Sequence, residues 1–136
     1  MRRGAVRLVT VLYGLGFVLL GVILGSLSVR GYRQLPADPD WPVPGGDARR
    51  GAEAVVRHGC ISCHEISGVP AATGRVGPRL TRLREQSYIA GRLPNVTPNL
   101  VRWIMNPRAI DPQNVMPDLP VTEAEARDIA ALLYSQ

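Results

Sequence analysis

Hydrophobic residues follow two regimes along this chain. From Leu8 to Val29 they run almost unbroken, through 22 positions that carry no charge. Coiled as a helix at 1.5 Å per residue, that run reaches roughly 33 Å, enough for a bilayer core of roughly 30 Å. Beyond Asp47 the apolar positions recur at three- and four-residue intervals, as in helices that bury one face. Asp47 is a natural N-cap for a first helix through about Arg57, with Ala52, Val55 and Val56 on its apolar face. Thr97-Pro98 opens a second, carrying Leu100, Val101 and Ile104, which ends before Pro107. Thr122 and Glu125 form a capping box for a third, followed by Ala126, Ile129, Ala130 and Leu133. No segment shows the alternation of a strand, so an all-α fold is expected. Between the regimes, Pro36, Pro39, Pro42, Pro44 and Gly45-Gly46 exclude helix. The pattern gives an N-terminal membrane anchor at 1–30, a linker at 31–46 and a helical domain at 47–136.

The apolar run admits two uses. Ser26 and Ser28 are small residues of the kind found where signal peptides are cut, but the run exceeds the about 7–15 apolar residues of such peptides. An uncleaved single transmembrane helix is the expectation. Arg2, Arg3 and Arg7 precede it and Arg30 and Arg33 follow, which sets the N-terminus in the cytoplasm and the helical domain on the periplasmic face of a bacterial inner membrane. Gly14, Gly21, Gly25 and Ser28 share one helical face, a small-residue seam against which another membrane helix could pack.

Charge adds little beyond this. The net +5 comes from 16 arginines, with no lysine, against 11 acids. Five of those arginines flank the apolar run, and the rest of the chain balances to zero. A nucleic-acid-binding face is therefore not expected. A local run of Arg75, Arg79, Arg82, Arg84 and Arg92, opposed in sequence only by Glu85, could dock an acidic partner.

The chemistry is concentrated in Cys60-Ile61-Ser62-Cys63-His64. The two cysteines close too short a loop for a disulfide between them to add much stability. Their spacing followed by histidine is that of covalent c-type haem attachment, with thioethers from Cys60 and Cys63 and an imidazole nitrogen of His64 on the iron. A thioredoxin-like pair would follow a strand, and a zinc site would need further ligands. For a second axial ligand the chain offers Met105, inside the second helix, and Met116, in a proline-bounded loop; the loop position favours Met116. His58 stands too close to Cys60 to reach an opposite face.

Together these segments resemble a class I cytochrome c. The resemblance runs from Gly46-Asp47-Ala48 through the CISCH site, Gly77-Pro78-Arg79-Leu80, Asn99–Ile104, Asn106-Pro107 and Met116-Pro117 to the helix Glu123–Tyr134. It implies a class I cytochrome c fold around one haem c, with first and last helices crossing at Gly51 and Tyr134 nearby. It also implies that the Pro78 carbonyl accepts a hydrogen bond from His64 and that Trp103 packs near the haem. Ile89–Asn95 with Asn99–Trp103 and Asn106-Pro107 is similar to the cytochrome c domain fused to subunit II of some bacterial haem–copper oxidases, here without the copper-binding domain. The function implied is single-electron transfer through a His64/Met116-ligated iron, to or within a terminal oxidase or from a quinol-oxidising complex, and not catalysis. A five-coordinate peroxidase-like haem enzyme and a haem-bearing assembly subunit of a respiratory complex are the alternatives.

Overall fold

The computed structural model describes residues 13–26 and 43–136. The chain divides into two units, Met1–Gln34 and Leu35–Gln136.

In the first unit, residues 13–26 are helical and exposed along their length, Phe17 and Leu19 included. This corrects the expected membrane helix. Among the described residues no helix is long and apolar enough to cross a membrane. The flanks of the expected span, at 8–12 and 27–29, lie outside the described residues, as do Arg2, Arg3, Arg7, Arg30, Arg33, Ser28 and most of the linker. Among the described residues, a Cβ added at Gly14, Gly21 or Gly25 meets nothing within 4 Å.

The second unit holds helices α1 (Ala48–Arg57), α2 (Thr97–Met105), α3 (Pro107–Ile110) and α4 (Glu123–Tyr134). α1 begins where the sequence places it. The Asp47 carboxylate accepts the Arg49 and Arg50 backbone N–H groups at 2.8 and 3.2 Å, which lowers its pKa. α2 carries a proline in its first turn, and Asn106 separates it from α3. α4 opens on the complete capping box, with Thr122 Oγ1 accepting the Glu125 N–H and Glu125 accepting the Thr122 N–H.

The second correction concerns the all-α class. Tyr88–Ile89 (β1) and Leu93–Pro94 (β2) form an antiparallel pair, Tyr88 opposite Pro94 and Ile89 opposite Leu93. Strands of two residues are too short to show alternation, which is why the hydrophobic pattern misses them. The reversal between them places Ala90 and Gly91 at φ 48° and 67°. Asn95 then anchors the hairpin. Its Nδ2 donates to the Leu83 and Gln86 carbonyls at 2.7 and 2.8 Å, and its Oδ1 accepts from the Tyr134 hydroxyl at 2.8 Å. Burial pushes the Tyr134 phenol up to about 12.

The core lies where α1 and α2 pack on α4, around Val55, Leu100, Ile104, Ile129, Leu132 and Tyr134. Asp128 is buried at this crossing, 6% exposed, and is fully engaged: Arg50 Nε and Nη2 and the Asp47 N–H each reach it at 2.8 Å. At the edge of the crossing, Glu125 accepts from Arg57 at 2.6 Å and lies 3.2 Å from His58 Nε2. The Thr122 backbone N–H, the Thr122 hydroxyl and His58 lower its pKa from 4.5 to about 2. A carboxylate held below its ordinary pKa stabilises the fold above that ordinary value and loses its contribution as pH falls toward the depressed one. Glu125→Gln keeps capping-box geometry without titrating. The variant is expected to show a flatter decline of melting temperature than the parent between pH 4.5 and 2, measured by thermal denaturation across that interval.

Candidate functional site

α1 stops at His58, whose backbone N–H donates to the carbonyls of Ala54 and Val56. Gly59, at φ 72°, reverses the chain into a 3₁₀ turn over Cys60–Ser62. The Cys60 carbonyl accepts both the Cys63 N–H at 3.2 Å and the His64 N–H at 3.0 Å. One carbonyl thus draws Cys63 and His64 onto the turn that carries Cys60. Both cysteines are half-buried, and burial raises the Cys60 thiol above its ordinary pKa, which keeps it protonated and a weak nucleophile at neutral pH.

A second segment lies along this turn. The Gly74 N–H donates to Ile61 O at 3.2 Å, Gly77 N–H to Cys63 O at 2.8 Å and Leu80 N–H to Glu65 O at 2.9 Å. Arg79 Nε adds an ion pair to Glu65 at 3.0 Å. Close approach requires the glycines. A Cβ at Gly74 would come within 2.5 Å of the Cys63 backbone carbon, and one at Gly77 would strike the His64 ring.

This segment fixes the His64 ring. Nδ1 lies 2.7 Å from the Pro78 carbonyl oxygen. A carbonyl cannot donate, so Nδ1 carries a proton, and in the neutral imidazole the lone pair lies on Nε2, the nitrogen that could bind a metal. A ring N–H held by a backbone carbonyl is the usual way a ligating histidine is oriented and made more basic.

The structure brings Cys60, Cys63, His64 and Pro78 into one local unit. Trp103 and Met116 stand on other elements. Trp103 is buried in α2, 9% exposed. Met116 is half-buried in the irregular loop between α3 and α4, its N–H donating to Asn114 Oδ1 at 3.1 Å. Met105 ends α2. His58 is tied to α4 through Glu125. The expected positive run is largely neutralised: Arg79 pairs with Glu65, Arg82 with Glu85 at 3.6 Å and Arg92 with Asp111 at 3.1 Å. Sequence reasoning missed Asn114, although Asp111-Pro112-Gln113-Asn114 has the composition of a turn built on side-chain oxygens.

Over 89 residues the chain is 36% identical to cytochrome c oxidase subunit 2 of Alkalihalophilus pseudofirmus, a match covering 65% of this chain and 25% of that protein. Over 77 residues it is 30% identical to cytochrome c oxidase subunit 2 of Bacillus sp. strain PS3, covering 55% of this chain and 22% of that protein. The chain therefore spans about a quarter of the length of these relatives. No protein-family model and no solved structure matches it.

The comparisons correct the expected cofactor, one haem c bonded through Cys60 and Cys63. The relatives bear the name of an oxidase subunit and not of a c-type cytochrome. Among the described residues no three His, Cys, Asp or Glu side chains gather to hold a metal ion. The physical reason is visible around the turn: the nearby carboxylates are committed elsewhere, Glu65 to Arg79 and Glu125 to Arg57 and Thr122. The functional reading rests accordingly on His64 and the Met116 loop.

Proposed function

We propose that this chain serves a respiratory terminal oxidase as its single-electron-transferring part, through a redox group whose metal is bound by His64 Nε2 and Met116 Sδ. The observation that carries the reading is the 2.7 Å contact between His64 Nδ1 and Pro78 O, which orients the ring and, in the neutral imidazole, puts the lone pair on Nε2. Two relatives named as oxidase subunit 2 support the oxidase association, and the motif order resembling class I cytochromes c supports electron transfer. A group held there supplies reversible one-electron transfer. The remaining work belongs to the chain's own residues. Pro78 and Gly77 hold the imidazole, so that little reorganisation accompanies a change of charge. The soft, neutral Met116 thioether favours the reduced state. Cys60, Cys63 and Trp103 complete the surroundings of the group. If His64 and Met116 both held the metal, two of its coordination positions would be taken by side chains, which favours a role in carriage over one in catalysis. The partners are the other subunits of the oxidase or of a quinol-oxidising complex, at the outer face of a bacterial membrane.

The test is a redox titration of the purified full-length chain. A reversible one-electron wave is expected, together with a metal-ligand spectrum that changes between states. Met116→His is expected to lower the midpoint on the order of 100 mV, a fraction of the roughly 0.8 V over which axial ligands move such potentials. An unchanged midpoint excludes Met116 as ligand, and absence of any one-electron wave in the parent protein overturns the function.

A further inference from the structure

Of the four strand residues in the β1–β2 hairpin only Ile89 is buried. Asn95 supplies the rest of the attachment, through the Leu83 and Gln86 carbonyls and the Tyr134 hydroxyl. The turn keeps Ala90 at φ 48°, a left-handed conformation that alanine holds less easily than glycine. Strain of this kind persists only where the surroundings require it. Here the turn closes with the Arg92 N–H on Ile89 O at 2.9 Å and sends the Arg92 side chain to Asp111, Nε to Oδ2 at 3.1 Å.

Asp111 stands where α3 ends and the Met116 loop begins. Its N–H donates to Pro107 O at 2.9 Å, and its carbonyl accepts the Asn114 N–H at 3.0 Å. Asp111 Oδ1 accepts the Gln113 N–H at 3.2 Å, and Asn114 Oδ1 accepts the Met116 N–H at 3.1 Å. Each of these bonds stays between residues 107 and 116, whereas the Arg92 ion pair reaches 19 residues back, to the hairpin. The Asp111 carboxylate is 17% exposed, too shielded for water to replace Arg92 fully.

We propose that Arg92 is a positioning residue for Met116: from a hairpin fixed on the domain it holds Asp111, and so sets the loop that presents the thioether to the metal. This rests on the function proposed above. A neutral thioether has no charge with which to attract a metal, so its hold depends on the chain that carries it.

Arg92→Gln and Asp111→Asn each break the ion pair, and the second keeps the oxygen that caps Gln113. Two rates are measured on the full-length chain: displacement of Met116 from the oxidised metal by imidazole, and hydrogen exchange of the Met116 backbone N–H. Imidazole is neutral, so the charges lost in the two variants act on it little. Both rates are expected to rise about fivefold in either variant, the most that a pair with one exposed partner ordinarily contributes. The double variant should be no faster than either single one, because both remove the same contact. Exchange at Ala126 and Ile129 in α4 should stay as in the parent. Should a variant not fold, added salt screens the pair in the parent and is expected to speed both rates there.

Variant rates equal to the parent's overturn the proposal. So does acceleration shared with α4, which marks lost stability of the whole domain. Opposite effects of the two variants mark a direct influence of charge and overturn it as well. A loosened loop with an unchanged imidazole rate removes Met116 from the metal, and the functional reading with it. An unaltered loop in Arg92→Gln, beside a normal one-electron wave in the parent, removes this inference alone.

Discussion

Gly51→Ala destabilises the unit that follows residue 35 by about 3 kcal/mol, near the upper end of the cost of overpacking, and lowers its melting temperature on the order of 15 °C. The expectation comes from what a single methyl would meet. The Cβ would strike the Asp128 carbonyl oxygen, stand 2.7 Å from the Asp128 carbonyl carbon and 2.9 Å from Leu132 Cβ. Backbone atoms of α4 cannot rotate aside, so α1 and α4 must part. The gain of roughly 1 kcal/mol from replacing a mid-helix glycine by alanine is outweighed. Separation would also stretch the three 2.8 Å contacts that satisfy Asp128, leaving a buried carboxylate poorly compensated. Glu53→Ala, on the exposed side of the same helix, should change stability by no more than about 0.5 kcal/mol. Chemical denaturation of both variants measures the contrast. Equal stability of Gly51→Ala and the parent would mean that the helices do not cross at this distance.

What the sequence reveals and conceals here follows from range. Asp47, Thr122 and Glu125 act within three residues of themselves, and the helices they open begin where those side chains predict. The Cys60–His64 turn is equally local, since one carbonyl at Cys60 organises it. The hairpin escapes because its strands offer two residues each, and because its reversal uses Ala90 at a positive φ where asparagine or glycine would announce it. Asn95 and Asp128 escape for another reason. Their partners stand 39 and 78 residues away, on Tyr134 and Arg50, and nothing near them in sequence distinguishes them from solvated polar residues. The apolar run at Leu8–Val29 shows the opposite case: composition alone supports a membrane helix, while among the described residues no helix is long and apolar enough to cross a membrane.

Gly77→Ala is expected to leave stability nearly intact but, if His64 holds the redox group proposed above, to weaken its retention by about 10- to 100-fold, the range expected when the support of a metal ligand is removed. The backbone at Gly77 is not left-handed, so alanine adopts its conformation without strain, and the effect is one of contact alone. The added Cβ would overlap the His64 ring, lying 2.7 Å from Nδ1 and 3.0 Å from Nε2. The ring is half-buried and can swing outward, which is why the fold tolerates the change. In swinging it surrenders the 2.7 Å hydrogen bond to Pro78 O, and with it both the orientation and the tautomer that leave Nε2 as the donor. Val76→Ala, one residue away and 79% exposed, should retain the group as the parent does. The measurement is the rate at which each protein loses the proposed metal to a chelator, followed beside thermal melts. Parallel loss of stability and retention would mean that Gly77 supports the loop and not the imidazole, and a retention equal to the parent's would remove His64 Nε2 from the metal.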